Sequence, residues 1–187
     1  AAEVRRLSRK AEQAGFDEVR SLASRVYNKN ISIPGWDAAM RERIKGEYLR
    51  QYMLGRGGRK AMQPSDWGRC GGLLQSQYNT YLSRFGADIA AGKLSEAQIA
   101  ARAQMYVESA KQAFERGRQE ANRRAGYDLC HWQPEYGVEN CQDCLDFDAM
   151  GWVQVEDDPY SGCVPASGCT QCHTRCYCTI EYKHSKD

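Results

Sequence analysis

The chain of 187 residues can fold as one ordinary domain or as one domain with a small additional module. Its hydrophobic fraction of 42% is spread along the sequence, and no apolar run approaches the roughly 18 residues that a transmembrane helix needs. The first residues, AAEVRRLSRK, are charged and contain no apolar stretch. We therefore predict neither a membrane span nor a secretory signal.

The formal net charge of +2 hides a division of the chain into a basic and an acidic part. Residues 1–130 carry 23 Lys and Arg against 14 Asp and Glu, whereas residues 131–187 carry 3 against 10. A basic surface suits nucleic acid or an acidic protein, although a solvated face of Arg-rich helices has the same composition. The acidic part is not expected to bind phosphates.

The sequence before residue 127 predicts several helices. Apolar residues at spacings of three and four indicate a helical start before residue 30, then helices over about 36–52 and 74–86. Glycine-rich segments near 55–60 and 68–72 are predicted to separate these helices as hinges.

The longest helix is predicted over about 95–124. Ser95 and Gln98 have the spacing of a capping box at its start, and Gly126 is a suitable stop after its last turn. Small residues recur every seven positions on its apolar stripe, at Ala103, Ala110 and Gly117. Small side chains let another helix approach closely, and packing in the core of this chain is favoured over a seam with a partner.

After Tyr127, prolines, glycines, aspartates and cysteines replace the helical pattern. Short apolar segments at 151–155 and 178–182 predict strands. We therefore predict a mainly α fold with two parts: a basic helical domain over 1–126 and an acidic, Cys-rich β module over 127–187, stapled by zinc. A module this small cannot bury a large core and needs a metal or disulfides for stability.

The cysteine spacing carries the chemistry of the module. Seven of the nine cysteines lie between residues 141 and 178, at Cys141, Cys144, Cys163, Cys169, Cys172, Cys176 and Cys178. The motif CQDC predicts one tight turn with two thiolates, Cys141 and Cys144, and CHTRCYC offers further soft ligands. Four such ligands from two separated turns are typical of a closed tetrahedral zinc site. Cys172 and Cys176 are the preferred second pair, and Cys178 or His173 could replace one of them.

Several alternatives remain open at this point. Cys163 and Cys169 could pair as a disulfide, join Cys130 in a second site or stay free. A ribbon-like ligand set of Cys141, Cys144, Cys169 and Cys172 also has suitable CxxC spacing. Zinc is favoured over a framework of disulfides for two reasons. The nine cysteines cannot all pair with one another, and the long Arg-rich helical part is unlike a small secreted scaffold.

Catalytic motifs are absent from the sequence. A zinc deaminase needs a Glu shortly after its His or Cys ligand, and the residues around His131 lack it. HExxH, GxSxG and GxxxxGK[ST] are also missing. A Cys nucleophile paired with His173 is the remaining catalytic hypothesis. Asp143, Asp146 and Asp148 flank the thiolates, where we expect them to keep a loop soluble.

The order of motifs from the long helix onward resembles a known group of proteins. It runs from AARAQMYVESAKQAFERGRQEA (100–121) through CQDCLDF (141–147) and GW (151–152) to GCTQCHTRCYCTIEY (168–182). This order is similar to the C-terminal region of tailed-bacteriophage minor head proteins, a group related to the Mu F-like head morphogenesis family. The resemblance covers roughly positions 95–182. The cysteines that match its pattern are Cys141, Cys144, Cys172, Cys176 and Cys178.

The resemblance extends to His173, since the broader family commonly has a His three residues before the terminal CxC, whereas Cys163 and Cys169 depart from the pattern. It implies a virion structural protein without catalytic turnover: a minor head component assembled in the host cytoplasm, in several copies, with portal or major capsid protein or both. Non-specific contact with packaged DNA is a further option. The alternative function is a zinc-dependent nucleic-acid-binding protein, for which basic residues would be expected beside the metal.

Overall fold

The computed structural model describes residues 2–186, with side chains from residue 13 onward, and confirms a mainly α chain that ends in a small Cys-rich sheet region. The helices are α1 Ala2–Tyr27, α2 Ile33–Gly55, α3 Pro64–Ser76, α4 Ser83–Ala90, α5 Glu96–Glu108, α6 Lys111–Arg124 and α7 Gln142–Ala149. The strands are β1 Leu129–Gln133, β2 Val153–Gln154 and β3 Thr179–Lys183. Among the described residues, no helix combines the length and apolar character needed to cross a membrane.

Helix α2 confirms the helix predicted over 36–52. Its first turn is capped by Ser32, whose hydroxyl oxygen accepts a hydrogen bond from the Gly35 backbone N–H at 3.2 Å. After its end the chain turns through Gly57 and Gly58, both with positive φ, into a short 3-10 helix at Arg59–Ala61. The break predicted near 55–60 is therefore present.

The second predicted break, near 68–72, is wrong because these residues lie inside α3. A capping box between Gln63 and Asp66 starts the helix, and Cys70 and Leu74 anchor it in the core. Its end continues through a π-helical turn, Gln77–Leu82, into α4. The helix predicted over 74–86 is thus an irregular, longer helical segment that ends at Ala90.

The segment predicted as one helix over about 95–124 is divided into α5 and α6 at Ser109 and Ala110. Its start is as predicted, because Ser95 and Gln98 form a reciprocal capping box. At the break the Ser109 hydroxyl donates to the Tyr106 carbonyl at 2.9 Å and lies 2.8 Å from the Tyr48 hydroxyl. A serine that bonds the preceding turn bends a helix, and here the bend also joins the helix to α2.

One hydrophobic core contains residues from each of the helices α1 to α6, with the buried face of α2 at its centre. This face carries Trp36, Met40, Ile44, Tyr48 and Tyr52, each at most 2% exposed. The ring of Phe85 in α4 packs edge-on against Trp36 with a centroid distance of 5.0 Å. Tyr48 and Tyr52 lie in the Arg-rich sequence near 41–60, but their rings are part of the core. This burial is what their place on the apolar stripe of the helix predicts.

Helices α2 and α6 cross where two glycines meet. A Cβ atom placed on Gly55 would collide with the backbone of Phe114 and Arg118, and one placed on Gly117 would collide with the backbone of Tyr52 and Arg56. The stripe of small residues therefore packs within this chain, as predicted. Ala103 and Ala110 on the same stripe are fully buried.

The region after α6 forms a three-stranded antiparallel sheet in the order β2-β1-β3. The segment predicted as a strand over 151–155 contains β2, and the one over 178–182 overlaps all of β3 except Lys183. Strand β1 and helix α7 were not predicted. A second hydrophobic core fills this module around Trp132, which is fully buried and packs against the rings of Phe147 and Tyr160. The central strand β1 thus brings the main aromatic residue of the module into its core.

We predict that Gly55→Ala destabilises the protein by about 1–3 kcal/mol or more, because the added methyl group would meet the backbone of α6. The matched control is Gly46→Ala in the same helix, where an added Cβ would meet no atom within 4 Å. That change should stabilise the helix by up to about 1 kcal/mol. Urea unfolding of both variants measures the difference. Equal free energies of unfolding would show that the crossing is not tight.

Candidate metal centre

The start of α7 positions the first two thiols of the module. Cys141 is the N-cap residue of this helix and Cys144 lies in its first turn. The backbone N–H of Cys144 donates to the Cys141 carbonyl at 3.1 Å, so the two residues share one tight turn. The CQDC motif therefore presents both sulfurs in the same direction, with Cys144 buried and Cys141 half-buried.

The second group of thiols lies on the segment that leads into β3. Cys172 precedes a single 3-10 turn, His173–Arg175, and Cys176 and Cys178 follow it. Cys176 and Cys178 are each 2% exposed, whereas His173 is exposed and has a positive φ of 51°. The turn therefore brings the sulfurs inward.

Cys144 is the centre of the sulfur cluster. Its Sγ lies 3.7 Å from the Sγ atoms of both Cys172 and Cys176. Two groups of three sulfurs, each mutually within 4.8 Å, share Cys144: one contains Cys141 and Cys172, and the other contains Cys176 and Cys178. The thiols of Cys141, Cys144, Cys172, Cys176 and Cys178 thus converge, and this cluster could hold a metal ion.

The charges of these thiols are strongly interdependent. Hydrogen bonds to Cys176 and Cys178, together with burial, raise the pKa of Cys144, whereas hydrogen bonds from Cys144 and Cys176 lower the pKa of Cys178. The hydrogen bond with Cys144 lowers the pKa of Cys176, but its contact with Cys178 and burial outweigh this and raise it to about 12. The buried group can therefore carry little negative charge without a cation to balance it.

The Cys141 sulfur lies in a different electrostatic setting. Burial raises the pKa of Cys141, but the backbone N–H groups of Cys144 and Cys172 and the neighbouring thiols stabilise its thiolate, so the net shift is downward. Backbone N–H groups aimed at a sulfur favour the deprotonated form, which is the form that binds metals. The surroundings of Cys141 therefore favour its thiolate form.

Asp143 joins the two cysteine segments and was not predicted to have this role. Its carboxylate accepts hydrogen bonds from the Gln171 backbone N–H at 2.8 Å and from the Gln171 side-chain amide at 3.1 Å. The expected solvated loop is instead the first turn of α7, where an acidic residue is favourable. The sequence signal was the Asp inside the CxxC motif, but its partner lies 28 residues away.

The helical domain holds the cluster from one side. The Lys111 ammonium group at the start of α6 donates to the Cys176 carbonyl at 2.9 Å. Glu108 at the end of α5 accepts from the Thr174 hydroxyl at 3.3 Å and pairs with Arg175 at 3.4 Å. The bend between α5 and α6 therefore faces the turn between Cys172 and Cys176.

The remaining sulfurs lie outside the cluster. Cys163 and Cys169 form a disulfide with a Cα–Cα distance of 5.9 Å, so Cys169 is not available for the ribbon-like ligand set. Cys130 on β1 is a free, buried thiol, and burial raises its pKa. Cys70 is buried in the core of the helical domain. Within the described residues, neither His173 nor His131 belongs to a group with metal-binding spacing.

Comparison with protein-family models, with curated proteins and with solved structures finds no match to this chain. The interpretation of the site therefore rests on its own geometry and chemistry.

We predict that Cys144→Ser abolishes metal binding, because it removes the sulfur shared by both groups. Titration with Co²⁺, followed by its thiolate absorbance, measures binding. The matched control is Cys130→Ser, which changes another buried thiol of the module outside both groups. This control should bind Co²⁺ like the unchanged protein, with a stability cost of about 1–3 kcal/mol for the buried hydroxyl. Equal loss of binding in both variants would contradict the assignment.

Proposed function

We propose that the protein is a structural protein whose 127–187 module folds around one zinc ion. The observation that carries this proposal is the pair of 3.7 Å distances from the Cys144 sulfur to the sulfurs of Cys172 and Cys176. With zinc–sulfur bonds of about 2.3 Å, the edge of a regular tetrahedron is about 3.8 Å. Two sulfur–sulfur distances from Cys144 match this edge, and soft thiolates favour zinc over hard cations such as magnesium or calcium.

The proposed ligands are Cys141, Cys144, Cys172 and Cys176. The first three form one of the two sulfur groups, and Cys176 is the member of the second group at 3.7 Å from Cys144. Cys178 then lies beside the site as a fifth sulfur whose hydrogen bonds would orient its neighbours. Contacts with neighbouring thiols and burial raise the pKa of the Cys144 and Cys176 thiols. Zinc would replace their protons, and its positive charge would offset the cost of burying the thiolates.

We further propose that the protein is a minor head component of a tailed bacteriophage virion, without catalytic turnover. The support is the motif order CxxC, GW and CxxxCxC in the sequence, together with the convergence of its five cysteines in one cluster. Its proposed partners are the portal protein and the major capsid protein. A zinc-dependent regulator of nucleic acid is disfavoured because residues 131–187 carry 3 basic against 10 acidic residues.

The first prediction from this proposal concerns metal content. Protein purified without chelators should contain close to one zinc per chain, measured by elemental analysis. Cys141→Ser should lose the metal and unfold the module, whereas Cys178→Ser should retain zinc with reduced affinity. Metal-free protein with oxidised cysteines would contradict the zinc assignment, and loss of zinc only from Cys178→Ser would change the ligand set.

The second prediction concerns the virion. In cells that produce the complete phage head, the protein should co-sediment with assembled heads through a density gradient. A matched lysate without portal and capsid proteins serves as the control and should leave the protein at the top of the gradient. Recovery of the protein only as a free monomer from cells that contain heads would overturn the virion proposal without affecting the zinc site.

A further inference from the structure

A compact cluster of arginines lies where the end of α2, the start of α3 and the end of α6 meet. Four arginines share two carboxylates in this cluster, namely Arg56, Arg69, Arg123 and Arg124 with Asp66 and Glu120. Asp66 accepts from the Arg56 guanidinium at 3.0 Å and from Arg124 at 3.2 Å. The cluster therefore joins three helices through charged hydrogen bonds.

The carboxylates of this cluster lie beneath its cations. The side chains of Asp66 and Glu120 are 0% and 9% exposed, whereas those of Arg69 and Arg123 are 47% and 59% exposed. A hydrogen bond from the Gln63 backbone and the guanidinium groups hold the pKa of Asp66 below its usual value despite burial. Both carboxylates thus position the arginines from inside. Arg69 and Arg123 face solvent, whereas Arg56 is buried and Arg124 is mostly buried.

Two further cations adjoin this cluster on the 3-10 turn. Arg59 and Lys60 are exposed, and neither has a carboxylate partner within the part of the chain that the structure describes. Arg56 fixes this turn by donating from its guanidinium group to the Ala61 carbonyl at 2.9 Å. We call these six cations the basic corner, which exceeds its two carboxylates by four positive charges.

The chemistry of the basic corner indicates its partner. Arginines held by buried carboxylates present donors in fixed positions, which suits the regularly spaced phosphates of a nucleic acid. Binding of single strands typically uses several aromatic rings as stacking platforms, but residues 56–69 contain one aromatic side chain, the exposed Trp67. These features favour duplex over single-stranded DNA.

We propose that the basic corner binds the phosphate backbone of double-stranded DNA without reading its sequence. This inference goes beyond the proposed zinc-stapled structural role and does not depend on it, since the corner lies entirely on the helical domain.

Fluorescence anisotropy with two labelled DNA duplexes of unrelated sequence tests this proposal. The full chain should bind both duplexes with similar affinity, and the affinity should fall steeply between about 50 and 200 mM salt. Arg59→Gln with Lys60→Gln should weaken binding by roughly tenfold and reduce the slope of log K against log salt by nearly 2, about 0.9 for each lost phosphate contact. Both side chains are exposed, so circular dichroism should show unchanged folding.

The charge-matched control is Arg84→Gln with Lys93→Gln. Both side chains are exposed, and Arg84 adjoins Phe85, which packs on Trp36 near the opposite end of α2. That end lies about 20 residues, or roughly 30 Å, from Arg56 along the helix. This pair should leave both the affinity and the salt slope unchanged.

Several outcomes would overturn the proposal. They are absence of binding at low salt, equal losses in both charge-removal variants, and competition by polyglutamate as effective as by DNA, which would assign the corner to an acidic protein. Cys144→Ser separates this proposal from the zinc site, because it should lose metal and still bind DNA. Loss of both properties in that variant would show that the DNA surface depends on the module.

Discussion

The close crossing of α2 and α6 at Gly55 and Gly117 is the constraint on which the rest of the structure depends. Backbone atoms of one helix occupy the space where a side chain of the other would lie, so the two axes have little freedom to shift. Because α2 also carries the central face of the hydrophobic core, the crossing fixes α6 relative to the whole helical domain. The module after α6 packs against this fixed helix and against the end of α5.

The opposite side of α6 carries that position to the module. Glu115 is fully buried, and its carboxylate receives the backbone N–H of Ile180 in β3 together with the charges of Arg118 and Lys111. Burial is the dominant effect and raises its pKa. Lys111, one turn earlier, reaches the Cys176 carbonyl. Helix α6 therefore packs against α2 on one face and contacts the thiol segment on another. It thereby fixes the position of the sulfur cluster relative to the helical core.

Local sequence rules were sufficient for part of this fold. The Ser95 capping box and the small-residue stripe depend on neighbouring positions, and both have the predicted structure. The glycines at 68–72 were misleading because the Asp66 network and buried Leu74 stabilise α3 through contacts distant in sequence. The five clustered cysteines were all predicted, but the hub position of Cys144 required the tertiary structure. The disulfide was one of several open alternatives, because spacing alone does not choose a partner for Cys163.

The position of the cluster along the chain has a consequence for biosynthesis. The helical domain and its α2–α6 crossing are complete in sequence by Arg124, and the cluster needs Cys172 and Cys176, which the ribosome adds much later than Cys144. A translating chain can therefore complete its helical core before the sulfur site exists. With the proposed zinc site, maturation would have two stages: hydrophobic collapse during synthesis, and ion capture once the second thiol segment has emerged. A shortage of metal would then arrest the second stage and leave the first intact.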